Sequence, residues 1–398
     1  MCYVKFCRIR PRSGPGKVKV MNKTRILSIA LVVCLVALFA CAYMLDNIFI
    51  PTTSDDELLQ SPNTSTDTSV PPESSLPPVT EPPVVVYRNP LTGELIDEPM
   101  TARPFAVMLN NYEASMPVHG ISEADIVYEA LTEGGWTRCM GIYSDLASVK
   151  NMGCVRSARR HFVNLAIAYD AIYVHFGRST GKVGAQEYME QMGWDHMDGI
   201  DQAYAYFYEN EDRLNSGYAL DAVHFLVGQR AIDYAKRYDF ALEREEPYDY
   251  GMNFNPENAI AGEGANQVTV WFNEGGTPNK WHKYTKFFYD ETSNLYRSYQ
   301  YGKDNVDGNT GEIISYSNVL ALHASTKKND TTSHMIIDLE GEGTGYYAYG
   351  GKIVSIKWSR DSVYDPFTYT LEDGTPVTFG VGKTYIAIIP TNATVEWN

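Results

Sequence analysis

Residues 26–45, "ILSIALVVCLVALFACAYML", run for twenty positions without a charged side chain. As a helix, twenty apolar residues reach across the ~30 Å hydrocarbon core of a bilayer. Eight basic residues lie in the 25 positions before it, and no acidic one does. An excess of Lys and Arg on one flank holds that flank in the cytoplasm. The expectation is a basic cytoplasmic tail over 1–25, a transmembrane or signal-anchor segment over 26–45, and a body outside the cytoplasm at the cell membrane. An uncleaved single span is the preferred reading. The alternative is a lipoprotein: "LFAC" resembles a lipobox, in which Cys41 carries the lipid after signal cleavage. Phe39 is atypical for that motif, and the apolar run continues past Cys41.

Beyond residue 45 the chain keeps 25 of its 33 basic residues and all 49 acidic ones, a net of −24. A body this acidic repels nucleic acid and anionic surfaces at long range, so no nucleic-acid partner is expected. Residues 51–86 are dominated by Pro, Ser and Thr and lack hydrophobic periodicity. They read as part of a disordered linker over 46–88, which at ~3 Å per residue holds the body well clear of the membrane.

The folded region divides by texture into an N-terminal domain over 89–257 and a C-terminal domain over 258–398. In the first, "PFAVMLNN" (104–111), "ADIVYEALTE" (124–133), "TRCMGIYSD" (137–145) and "AIYVHFG" (171–177) read as strands. "RSARRHFVNLAIAYD" (156–170), "GAQEYMEQMGW" (184–194) and "GQRAIDYAKRYD" (228–239) read as helices. In the second, strand-like runs alternate with Gly, Asn and Asp-Gly turns, with a hairpin signal at Asp373-Gly374. The fold class is α+β or α/β: a sheet with covering helices, then an antiparallel β-rich domain.

Arg156, Arg159 and Arg160 occupy positions i, i+3 and i+4, which share one face of a helix. At a helix N-terminus three cations are unfavourable unless an anion compensates, and such termini bind anions. Glu129 and Glu133 lie on one strand face if the strand continues that far, with Asp125 beside them. They are the internal candidates to neutralise the arginines, and also a candidate acid/base pair. His175, at the end of a strand before a glycine, is a third catalytic candidate; a satisfied structural histidine is the plainer reading, for it and for His224. "GRSTGKVG" (177–184) lacks phosphate-loop spacing, because Lys182 is followed by valine. "DNVDGNTGE" (304–312) reads as a turn, with a calcium loop as the alternative. Cys139 and Cys154 match no metal-site spacing; a disulfide and two unrelated thiols are both open. No metal and no cofactor is expected.

"RPFAVMLNN", "GISEADIVYEALTEGGWTR", "GCVRSARRHFVNLAIAYDAIYVHFG" and "TGEIISYSNVLAL" resemble the YerB-like family, DUF3048. The resemblance covers about residues 90–395. It implies an N- and a C-terminal domain in exported or lipid-anchored proteins of Gram-positive bacteria. It also places Glu129, Glu133, Gly134, Thr137, Arg138, Arg156, Ser157, Arg159, His175, His224 and Asp307 on motif positions. The chain departs from the family pattern at Cys154, where relatives carry proline, at Asn305, where a histidine is common, and in the segment before His224.

Three readings follow. The leading one is an extracytoplasmic, membrane-anchored binding protein of the cell envelope, with Arg156, Ser157, Arg159, Arg160, His224 and Asp307 as ligand-binding candidates. Its partner would be an anionic cell-wall polymer or another envelope protein. The second is an enzyme on envelope glycans, with Glu129, Glu133 and His175 as catalytic residues. The third is a structural or protein-interaction scaffold.

Overall fold

The computed structural model describes residues 86–273 and 283–398, which belong to one compact unit, Glu81–Asn398. The tail, the 26–45 segment with Cys41, and nearly all of the linker lie outside the described residues. Among the described residues, no helix is long and apolar enough to cross a membrane.

The fold is mostly β. The main sheet runs, edge to edge, Glu263–Gly264, Lys352–Arg360, Gly341–Tyr349, Asn318–Ala324, Thr384–Pro390, Ile126–Leu131, Thr137–Tyr143, Phe105–Asn110, Ile172–His175 and His196–Asp198. Thr368–Leu371 adds to the Lys352 strand. The expected boundary at 257/258 therefore falls inside one sheet: Thr384–Pro390 lies parallel to Ile126–Leu131, with Ala387 opposite Glu129. The C-terminal half is also not purely antiparallel, because Thr384–Pro390 pairs in parallel with Asn318–Ala324 as well. Both junctions are made by a strand buried along nearly all its length, as parallel pairing requires.

Each central strand sends alternate side chains to opposite faces. Ile126, Tyr128 and Ala130 face a core that includes the helix Arg160–Ala168, while Val127 and Leu131 face the other core. That other core is closed by a second antiparallel sheet built on Gln267–Trp271, Tyr284–Asp290 and Leu295–Gln300. Arg160–Ala168 and Ala185–Met192 thus cover one face of the main sheet, and the second sheet together with the Gly228–Arg237 helix covers the other, a few short helices rather than the full cover expected of an α/β domain.

The Arg160–Ala168 helix begins later than its sequence pattern implies. Arg159 is its N-cap, with extended backbone at φ −132° and ψ 147°, and Arg156 precedes the helix altogether. Arg156, Arg159 and Arg160 therefore share no helix face. From His161 to Ala168 every residue is buried, so the helix has no solvent stripe. Its apolar surface is contacted on several sides, and tertiary packing overrides the amphipathic pattern.

Candidate functional site

Phe105–Asn110 and Ile126–Leu131 end on the same side of the main sheet where Thr137–Tyr143 begins. A cleft of about 250 Å³ opens there, lined by Asn110, Tyr112, Thr132, Glu133, Trp136, Thr137, Arg138, Arg156 and Asp221. The turn between the two latter strands shapes its mouth. Gly134 and Gly135 both adopt left-handed backbone, φ 75° and 78°, which side chains disfavour. The Thr132 amide and hydroxyl both donate to the Trp136 carbonyl, at 2.7 and 3.1 Å, and close the turn. Trp136 then meets Tyr112 edge to face, ring centroids 4.7 Å apart.

The arginines are divided among different partners. Arg159 holds Glu133 with two hydrogen bonds, Nε to Oε1 at 2.6 Å and Nη2 to Oε2 at 2.7 Å. Burial alone would raise the Glu133 carboxyl, but the bonds and charge of Arg159 outweigh it and hold it below its usual range. Arg156 pairs with Asp221 at 2.9 Å and donates to the Asp221 carbonyl; its Nε is buried without a hydrogen bond. Arg160 points to the surface, its guanidinium 4.3 Å from the centre of the Tyr188 ring. Ser157 enters through its carbonyl, which accepts from Arg138 and, at 3.5 Å, from Arg159.

The charge left over belongs to Arg138. It is 7% exposed, and among the described residues no carboxylate comes within ion-pair distance of it. Burial, with the neighbouring charges of Arg159 and Arg156, pushes its guanidinium down to about 9. Three guanidinium groups and two carboxylates thus meet at one end of the cleft. In "TRCMGIY" a single charged residue interrupts a buried strand, which is the signal by which sequence could have ranked Arg138 above Arg160. Trp136, Tyr112, Asn110 and Asp221 carried no such signal.

The three catalytic candidates do not converge. The Ile126 strand ends at Leu131, so Glu129 and Glu133 share no strand face. Glu129 is sealed between the two sheets. It accepts from Asn111 Nδ2 (2.8 Å), Thr137 Oγ1 (2.6 Å), Thr285 Oγ1 (2.9 Å) and the Tyr385 hydroxyl (2.7 Å), and Lys283 Nζ lies 3.0 Å away. His175 is buried at the far end of its strand. Its Nδ1 meets the Gly177 carbonyl at 2.9 Å and therefore carries the proton, so Nε2 accepts from His196 Nδ1 at 3.1 Å. Burial holds its imidazole below the usual value, and it stays neutral at pH 7.

Neither of two further ligand candidates lines the cleft. His224 lies close to Arg156: it stacks flat on Phe176, centroids 3.7 Å apart, its carbonyl accepts the Val155 amide, and burial with the Arg156 charge holds its imidazole below the usual value. Asp307 is buried and accepts the amides of Gly120 (3.2 Å), Ser122 (2.9 Å) and Asn309 (2.7 Å), clamping two loops together. Its oxygens are committed to backbone amides, as in a turn. Cys139 and Cys154 are both buried and unpaired. Among the described residues, no group of three His, Cys, Asp or Glu side chains is placed to hold a metal.

The family's N-terminal domain, described as a protein of unknown function (DUF3048), matches residues 91–222, and its C-terminal domain matches 277–386. The chain belongs to the DUF3048 family. It is 29% identical over 307 residues to the "Putative lipoprotein YerB" of Bacillus subtilis (strain 168), covering 76% of this chain and 86% of that one. The crystal structure of the Bacillus subtilis YerB protein superposes with a TM-score of 0.67 at 27% identity, over 78% of this chain and 99% of that one. The cleft of this DUF3048 chain is therefore built chiefly from the N-terminal domain's residues, while Lys283, Thr285 and Tyr385, behind it, come from the C-terminal domain's range.

Proposed function

We propose that this chain is an extracytoplasmic, membrane-attached binding protein of the cell envelope whose cleft at Arg138 and Arg156 holds an anionic group. The observation that carries this reading is the buried Arg138 guanidinium, which has no carboxylate partner among the described residues and lines an open cleft. An anion in contact with it would relieve both the burial penalty and the repulsion from its arginine neighbours. Binding is favoured over glycan cleavage because Glu129 and His175 are sealed away from the cleft and Glu133 is committed to Arg159. The relative's name favours lipid attachment at Cys41 over an uncleaved span; partitioning of a Cys41→Ser variant out of the membrane fraction would support the former.

Thermal unfolding with and without inorganic phosphate tests the cleft. Phosphate at about 100 times Kd should stabilise the protein by ~2.7 kcal/mol. An equal shift in an Arg156→Ala/Arg138→Met double variant would refute the assignment.

A further inference from the structure

The cleft is not lined by cations alone, and its other walls restrict what the anion can be attached to. Trp136 and Tyr112 stand at its mouth, with Tyr112 41% exposed although it packs against the indole. Aromatic surface left open beside a polar cleft is a place for a ring with an apolar face. Thr132 supplies the polar part. Its hydroxyl is buried and already donates inside the protein, to the Trp136 carbonyl. It has only one proton, so toward the cleft it can only accept. The Thr137 hydroxyl is spent in the sealed network behind, donating to Glu129 at 2.6 Å and accepting from Asn111 Nδ2 at 3.0 Å. A ligand that satisfies Thr132 brings an O–H or N–H donor of its own. The charge count adds the last restriction: Arg138, Arg156 and Arg159 against Glu133 and Asp221 leave one positive charge uncompensated.

We propose that the cleft takes a sugar ring bearing one singly charged anionic group. The anion lies against Arg138 and Arg156, a ring hydroxyl donates to Thr132, and the ring's apolar face lies against Trp136 and Tyr112. The proposal rests on the anion-binding reading and adds the ring to it. A carboxylate and a phosphodiester both supply one charge, and the probes separate them.

Isothermal titration of the purified protein with D-glucuronate, a methyl phosphodiester of glucose, D-glucose, acetate and benzoate tests it. Glucuronate or the phosphodiester should bind roughly 3- to 10-fold more tightly than acetate, the range expected of one aromatic contact, and glucose should bind far more weakly than either. Trp136→Ala should remove that advantage and leave acetate binding unchanged, and Trp136→Phe should keep most of it. Thr132→Val should weaken the sugar acid and not acetate. Equal binding of acetate and glucuronate, or tighter binding of benzoate, overturns the sugar ring while leaving the anion site standing. No binding of any anion overturns both. Circular dichroism of each variant separates loss of binding from loss of fold.

Discussion

Arg159 and Glu133 form a two-point ion pair that ties the N-cap of a buried helix to the turn carrying Trp136. The N-cap side chain is a cation and cannot accept from the helix amides, so its role is to reach across to the turn. Glu133→Gln should cost about 1–3 kcal/mol in urea unfolding. The carboxyl sits below its unfolded value of 4.5, so its contribution is present above pH 4.5 and disappears as pH falls through the lower, folded value. The wild type should therefore lose stability in that acid window, and Glu133→Gln should lose less.

Lys283 and Glu129 share a buried network in which every oxygen of the carboxylate is occupied. Removing the cation strands a charge between two sheets. Lys283→Met should cost roughly 3–5 kcal/mol. Combining it with Glu129→Gln should cost less than the two single changes added together, and a double-mutant cycle by chemical denaturation measures the coupling.

Arg138 makes the opposite case. Its positive charge is held where burial and two like charges oppose it. Replacing it with methionine removes that cost along with the charge, so Arg138→Met should unfold within about 1 kcal/mol of wild type. The phosphate-induced rise in melting temperature should vanish. A fall of several kcal/mol would show that Arg138 holds the strand end together.

His161 lies wholly inside, at the start of the helix, and burial pushes its imidazole down to about 3. Below pH 6.5 the unfolded chain takes up a proton that the folded chain refuses, so stability falls as pH drops from 6.5 toward 3. The slope from this one group approaches 1.4 kcal/mol per pH unit. His161→Leu should flatten the stability profile across that window while leaving pH 8 stability little changed.

Strand by strand, much of the fold was legible. "PFAVMLNN", "TRCMGIYSD", "SNVLALHA" and "KTYIAIIP" each form a strand, because runs of β-branched and aromatic residues between turn formers carry their own signal. The helix at 160–168 was legible only as a helix. Its start was misplaced by four residues, since "RSAR" is as compatible with a first turn as with the extended segment it forms. Arg138 was visible as a motif position but not as the site's uncompensated charge, because that depends on where Glu133 and Asp221 end up.

Local pattern alone determined many of the strands, though not Gly341–Tyr349 or His196–Asp198, that the body is strongly acidic, and that guanidinium groups crowd near residue 156. Tertiary structure decided how the strands are joined and which charges are satisfied. Thr384–Pro390 lies beside Ile126–Leu131 across more than 250 residues of chain, and the same folding brings Glu133 to Arg159 and Asp221 to Arg156. Periodicity acts between neighbours a few residues apart, whereas strand order and ion pairing follow from which buried faces meet, and that is settled only when the whole chain packs.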